Sequence, residues 1–226
     1  MSEAPRSLVL SKSSGRRSRN RWRRPDVLAS ALVVVSLIIV VVVASLWQRG
    51  ETRLTGTDLG AQAAPGFKLT DHRGETVRLS DLRGRAVALT FIFTSCPDVC
   101  PLIAEKLRWT YESLPEDQRD EIALVAITVD PENDTPEAMA AFSATHRLAD
   151  NPSWYALTGD RAMLQQVWQA YGIWPGAAAA PEGSMGMGHT DAVYVIDAEG
   201  RERVFMRSDF NADALAANLT ALVNEA

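Results

Sequence analysis

Arg85-Ala86-Val87-Ala88-Leu89-Thr90-Phe91-Ile92-Phe93-Thr94-Ser95-Cys96-Pro97-Asp98-Val99-Cys100-Pro101 decides how the rest of this chain is read. Residues 85–93 form a nearly continuous apolar run, the pattern of a strand buried on both faces of a sheet. The run ends in a loop that holds the only two cysteines of the sequence, with three residues between them. That spacing is one residue longer than the Cys-x-x-Cys of thioredoxin-type redox motifs. A helix is expected next, from about Pro101 to Ser113, with Leu102, Ile103, Leu107, Trp109 and Tyr111 among its apolar members. The loop therefore leaves the carboxyl end of a buried strand and enters a helix, where ligands collect in open α/β sheets. A helix N-terminus also favours thiolate over thiol. If the helix begins near Pro97, Cys96 and Cys100 stack on one face at i and i+4. Pro101 delays that start, and in either case the two sulfurs can come together. Paired thiols in such a place can hold a soft metal, exchange with a disulfide, or do both.

Upstream, Gly66-Phe67-Lys68-Leu69 and Thr76-Val77-Arg78-Leu79 alternate apolar with polar around Asp71-His72-Arg73-Gly74, which reads as a hairpin. Downstream, Ile122 to Val129 reads as a second buried strand. Asp134-Thr135-Pro136-Glu137 has the pattern of a capped helix start, with the helix reaching about His146. Trp154 to Leu157 is a short strand, and Asp160 caps a further helix to about Tyr171. Ala192 to Ile196 and Arg203 to Met206 form a hairpin around Asp197-Ala198-Glu199-Gly200, and a last helix spans about Ala212 to Asn224. No internal repeat is visible. Strands alternating with helices, then a hairpin and a closing helix, give a thioredoxin-like α/β order: a central mixed sheet covered on both sides.

Three histidines are available as further ligands. His72 falls in the expected hairpin turn and His146 near a helix end, both ordinary surface positions. His189 lies in Gly183-Ser184-Met185-Gly186-Met187-Gly188-His189-Thr190-Asp191, directly before the strand Ala192 to Ile196. In a thioredoxin-like fold the loop before that strand faces the reactive cysteines. Thioredoxins carry a cis-proline there, and this chain has no proline between Pro181 and the strand. Two thiolates and one imidazole form a soft three-coordinate set that suits Cu(I) and tolerates Cu(II). Structural zinc normally takes a fourth protein ligand, and none is obvious. Spacing alone leaves the metal and redox readings open. Met185 and Met187 read as parts of a Gly-rich lid, and Trp168, Tyr171 and Trp174 as packing residues.

The N-terminal residues 1–26 carry eight basic and two acidic side chains, a net of +6, whereas the whole chain carries −5 and the remainder therefore −11. The asymmetry falls at the edge of an uncharged apolar stretch, residues 27–47, of 21 residues. About 20 such residues span a bilayer as a helix, and Trp22 and Trp47 flank the stretch where indoles favour the interface. Arginines on its N-terminal side predict a cytoplasmic N-terminus with the rest across the membrane. A cleaved signal peptide has a shorter apolar region, and Ala61-Gln62-Ala63 lies well past this one. Next to such a stretch the basic tail sets topology, and no nucleic-acid partner is expected. Residues 48–64 read as a polar tether, and Pro65 to Ala226 as one domain large enough for a proper core. The expected location is a bacterial cell membrane with the domain extracytoplasmic. An Arg- and Ser-rich start also suits an organellar transit peptide, which makes the mitochondrial inner membrane the alternative. One disulfide closing so short a loop would constrain little of the unfolded chain, so a scaffold role for the cysteines is not expected.

Three spaced segments carry a resemblance. Cys96-Pro97-Asp98-Val99-Cys100-Pro101, then Val129-Asp130-Pro131-Glu132-Asn133-Asp134-Thr135-Pro136-Glu137, then His189-Thr190-Asp191-Ala192-Val193-Tyr194-Val195-Ile196-Asp197 resemble the SCO/SenC family of copper chaperones, in that order. The resemblance covers about Pro65 to the C-terminus, and a single N-terminal anchor also fits it. It implies a thioredoxin-like fold and copper bound by Cys96, Cys100 and His189. It further implies assembly of the dinuclear copper centre of cytochrome c oxidase, with the copper-binding subunit of the oxidase as partner and a copper donor chaperone upstream. Asp130-Pro131 takes the family's Asp-Pro position, where support of the site is expected rather than ligation. Ser95 stands where a His is often found before the first cysteine, and Thr190 where a Ser is common. Neither change removes a ligand. The rival function is a thiol-disulfide oxidoreductase with Cys96 attacking and Cys100 resolving, acting on the oxidase cysteines. A peroxidase is more distant, because no P-x-x-x-T-x-x-C pattern is present. A metallochaperone turns over no substrate, so no catalytic residue is expected.

Overall fold

The computed structural model describes residues 25–47, 54–174 and 192–226, with side chains over 29–41 in the first stretch. It divides into two units, Met1–Glu51 and Thr52–Ala226. In the first, helix α1 (Pro25–Trp47) has 23 residues. Among the described residues no helix is long and apolar enough to cross a membrane.

The second unit runs β1 (Thr57–Ala63), β2 (Lys68–Asp71), β3 (Thr76–Arg78), β4 (Ala86–Ile92), α2 (Val99–Ser113), β5 (Ile122–Thr128), α3 (Pro136–Thr145), β6 (Trp154–Thr158), α4 (Arg161–Ala170), β7 (Ala192–Ile196), β8 (Arg201–Arg207) and α5 (Ala212–Val223). The strands form one sheet in the order β1-β8-β7-β4-β5-β6-β2-β3. The pairs β4–β5 and β5–β6 are parallel, and β7 runs antiparallel to β4. This is the mixed thioredoxin-like sheet that the order of elements predicts.

Alternation along the central strands divides the core in two, because successive side chains point to opposite faces. Ala88, Ile92, Leu124, Ala126, Val193 and Val195 meet Ile103 and Leu107 of α2, Met139 and Phe142 of α3, and Leu215 and Leu219 of α5. Val87, Leu89, Phe91, Val125, Ile127 and Tyr194 meet Leu164, Val167 and Trp168 of α4, together with Phe67, Leu69 and Val77 of the first hairpin. Both cysteines belong to the first of these clusters.

One element lies where a tether is expected. Residues 57–63 pair with β8 as an edge strand, with a register shift between Asp58 and Gln62. Its side chains are almost all exposed, so no apolar alternation marks it. Backbone contacts hold it instead. The buried Asn218 side chain donates to the Thr55 carbonyl and accepts from the Thr55 N–H, both at 2.8 Å. Gly56 has φ +130°, and a Cβ there would meet Val204 Cγ1 at 2.4 Å, so only glycine fits.

The first two histidines are not the surface residues expected of them. The His146 side chain is 13% exposed, lies 3.7 Å from the Glu105 carboxylate and packs on the Phe142 ring. His72 is 9% exposed, and its Nδ1 accepts the Ala156 N–H at 3.4 Å while Nε2 has no partner among the described residues. Burial, helped by the Arg73 charge and opposed by Asp71, pushes its pKa below 6.5. The unfolded chain therefore binds the extra proton first. The His72 contribution to stability is complete above about pH 6.5 and is lost as pH falls below it. His72→Asn keeps an acceptor for Ala156 and does not titrate. It should flatten the fall in thermal midpoint between about pH 7 and 5, and an unchanged slope would show that other groups set it.

Candidate metal centre

The parallel pairing of β4 with β5 brings the loops after both strands to the same carboxyl edge of the sheet. The ladder extends one step beyond β4, with Val129 N–H donating to Ile92 O at 2.9 Å. Thr94 to Asp98 then turn into α2, with Cys96 N–H donating to Phe93 O at 3.2 Å. The helix begins at Val99, two residues before the expected start. Pro101 is tolerated in the first turn because N–H groups there have no intrahelical acceptor. Cys100 thus sits inside the helix and Cys96 just ahead of it.

Both cysteines are thiols rather than a disulfide. Cys100 is fully buried and Cys96 is 7% exposed. Cys100 N–H donates to Cys96 Sγ at 3.4 Å, which brings the first sulfur onto the helix N-terminus. Burial alone would raise the Cys96 pKa. Hydrogen bonds from the backbone N–H groups of Asp98, Cys100 and Val99 and from the Cys100 side chain outweigh it and lower the value. Asp98 occupies the N-cap position without a side-chain cap bond. The arrangement offers an ionisable sulfur with slight exposure beside one that is fully buried. Iodoacetamide at neutral pH is therefore expected to label Cys96 well before Cys100 in the reduced protein, read by peptide mass. Equal labelling would contradict the geometry.

The loop after β5 supports this corner through a residue that the sequence pattern assigns to a helix start. Thr135 is the N-cap of α3, its hydroxyl accepting Ala138 N–H at 3.3 Å, and Pro136 occupies the first helical position. Asp134 has another task. It is fully buried, and its carboxylate accepts the Thr94 N–H at 3.1 and 3.3 Å and the hydroxyls of Thr94 and Thr128. Its own N–H donates to Asp130 O at 2.9 Å. Asp130 N–H donates to Thr128 Oγ1 at 2.9 Å, and its carboxylate accepts from Asn133 Nδ2 at 2.8 Å. Trp168 Nε1 takes the Thr128 carbonyl from the opposite face at 2.9 Å. The Asp134–Thr94 contact spans 40 positions, and no local pattern announces it. Asp160 heads α4 without a side-chain cap bond.

His189, Met185 and Met187 lie outside the described residues. Among the described residues no group of three His, Cys, Asp or Glu side chains is assembled for a metal ion.

The sequence profile of SCO1/SenC matches residues 55–224. The chain belongs to the SCO1/SenC family. A putative copper-binding protein of Stutzerimonas stutzeri is 29% identical over 163 residues, 72% of this chain and 78% of that protein. The mitochondrial SCO2 homolog of Bos taurus is 36% identical over 149 residues, 64% of this chain, which spans about half (54%) of the bovine protein. The structure of Bradyrhizobium japonicum ScoI with copper bound shares 29% identity, with a TM-score of 0.56 over 71% of this chain and 99% of that one. The SCO1/SenC match begins at residue 55, where Asn218 pins the chain, so the edge strand β1 falls within the family domain.

Proposed function

We propose that the chain is a membrane-anchored copper metallochaperone. Reduced Cys96 and Cys100 hold one copper ion together with His189, and ligand exchange passes the ion to the copper-binding subunit of cytochrome c oxidase. The observation that carries the reading is the pair of thiols at the β4–α2 corner, with Cys96 Sγ within 3.4 Å of Cys100 N. Thiolates are soft ligands that select Cu(I). The third ligand is supported by register. Val193 of β7 lies opposite Thr90 near the carboxyl end of β4, and His189 precedes Val193 by four residues. Four extended residues reach at most about 14 Å, so the chain is long enough to bring the imidazole to that corner. The copper named for the Stutzerimonas and Bradyrhizobium relatives supports the same cargo.

The domain division follows, with the tether shortened by the β1 strand: a basic tail (1–26), an anchor (27–47), a linker (48–54) and a copper-binding domain from residue 55 onward. The 23-residue helical backbone of α1 is about 35 Å long at 1.5 Å per residue, enough for a bilayer core. Its arginine-rich flank supports an extracytoplasmic domain.

The test is a Cu(I) titration of the full reduced chain in detergent against a competing chelator. About one equivalent of retained copper is expected. No retention, together with disulfide reduction of insulin faster than by a free dithiol, would replace this reading with an oxidoreductase.

A further inference from the structure

We propose that Asp134 is a positioning residue for the metal-binding corner, fixing through Thr94 the place where Cys96 meets Cys100. The inference rests on the two-thiol copper reading, with Asp134 acting through Thr94 rather than as a ligand.

The carboxylate is fully buried, yet it makes no ion pair among the described residues and every donor to it is neutral. Removing it would leave the Thr94 N–H and two hydroxyls without this acceptor, which costs stability as well as geometry. What it provides is a junction. Thr94 belongs to the loop that carries Cys96 two residues later, and Thr128 is the last residue of β5. Asp134 is tied to Asp130 through its own N–H. One side chain thus binds the exit of β4 to the exit of β5, just where the ladder between them ends.

Cys100 is fixed by α2 and by the core beneath it. Cys96 is outside the helix, so the separation of the two sulfurs depends on the loop from Thr94 to Asp98. Both must lie within bonding distance of one ion. Thr94 is held twice, by its N–H and by its hydroxyl, and both bonds end on Asp134.

The test uses the full reduced chain with four substitutions: Asp134→Ala, Asp134→Asn, Thr94→Val and Ser143→Ala. The last is a control for stability. Ser143 is fully buried in α3 and accepts the Trp154 Nε1–H at 2.8 Å, remote in sequence from the cysteine loop. Three readouts are taken: the urea midpoint, Cu(I) affinity against a chelator, and the ratio of Cys96 to Cys100 alkylation in metal-free protein. Asp134→Ala is expected to lower Cu(I) affinity about 10–100-fold, as loss of a supporting residue does, and to reduce the alkylation preference. Asp134→Asn keeps one oxygen for the Thr94 N–H and should recover most of both. Thr94→Val should fall between them, and Ser143→Ala should lower the urea midpoint alone.

The proposal is overturned if Asp134→Ala keeps the parent's affinity and alkylation ratio, or if Ser143→Ala loses as much of either. Should Asp134→Ala fail to fold, Asp134→Asn and Thr94→Val decide it, and parental values in both overturn it. If the parent retains no copper, the copper reading falls by itself. The alkylation ratio then judges Asp134 alone, and a ratio unchanged in all the variants overturns its positioning role.

Discussion

Cys96→Ser is expected to abolish stoichiometric copper retention in the reduced chain, and His189→Ala to weaken it by about tenfold or more. The cysteine change replaces a soft sulfur, held as an ionisable thiol at the head of α2, with a hydroxyl that stays neutral at pH 7. Its effect should exceed the roughly 100-fold seen for supporting residues. Cys96→Ser also removes any dithiol chemistry, so it does not separate the chaperone from the oxidoreductase. The histidine change does. It leaves Cys96 and Cys100 intact, and a dithiol reductase has little need of the imidazole. Copper affinity measured with a competing chelator, beside disulfide reduction by the same preparation, gives the comparison. If His189→Ala binds copper as tightly as the parent, the three-ligand site is wrong.

The central fold was legible because its signals are local. The apolar run of β4 and β5, the first hairpin and the closing hairpin all state their period or their turn within a few residues. β1 was not legible, since its stabilisation comes from pairing with β8 and from Asn218, which lies 163 positions from Thr55. The same reason hid the burial of His72, whose acceptor role for Ala156 depends on β2 lying beside β6. In the site, the cysteine corner could be read from a strand ending in two thiols at a helix start. Asp134 could not. Its sequence neighbours Thr135 and Pro136 advertise a helix cap, which is true of Thr135, and the same short stretch also carries the buried junction. Residues joined across 40 positions by a carboxylate need the folded sheet to be seen.

Phe91→Ala is expected to cost about 3–5 kcal/mol of stability, the usual range for emptying an aromatic site in a core. Phe91 is fully buried in the central strand, with ring centroids 5.6 Å from Tyr171 and 6.3 Å from Tyr194. A loss of that size is a large share of the roughly 5–15 kcal/mol that holds a typical domain. Phe91 belongs to the face of the sheet covered by α4, whereas Cys96 and Cys100 belong to the face covered by α2 and α5. Under conditions where the variant stays folded, its copper affinity should therefore remain within a few-fold of the parent. Ile103→Ala makes the contrast. Ile103 is fully buried in α2 one turn beyond Cys100, and its removal should cost about 2–5 kcal/mol while also loosening the helix that fixes the second sulfur. Denaturant midpoints and chelator competition on both variants separate the two faces. Equal losses of copper affinity in Phe91→Ala and Ile103→Ala would mean that the sheet transmits core strain to the site from either side.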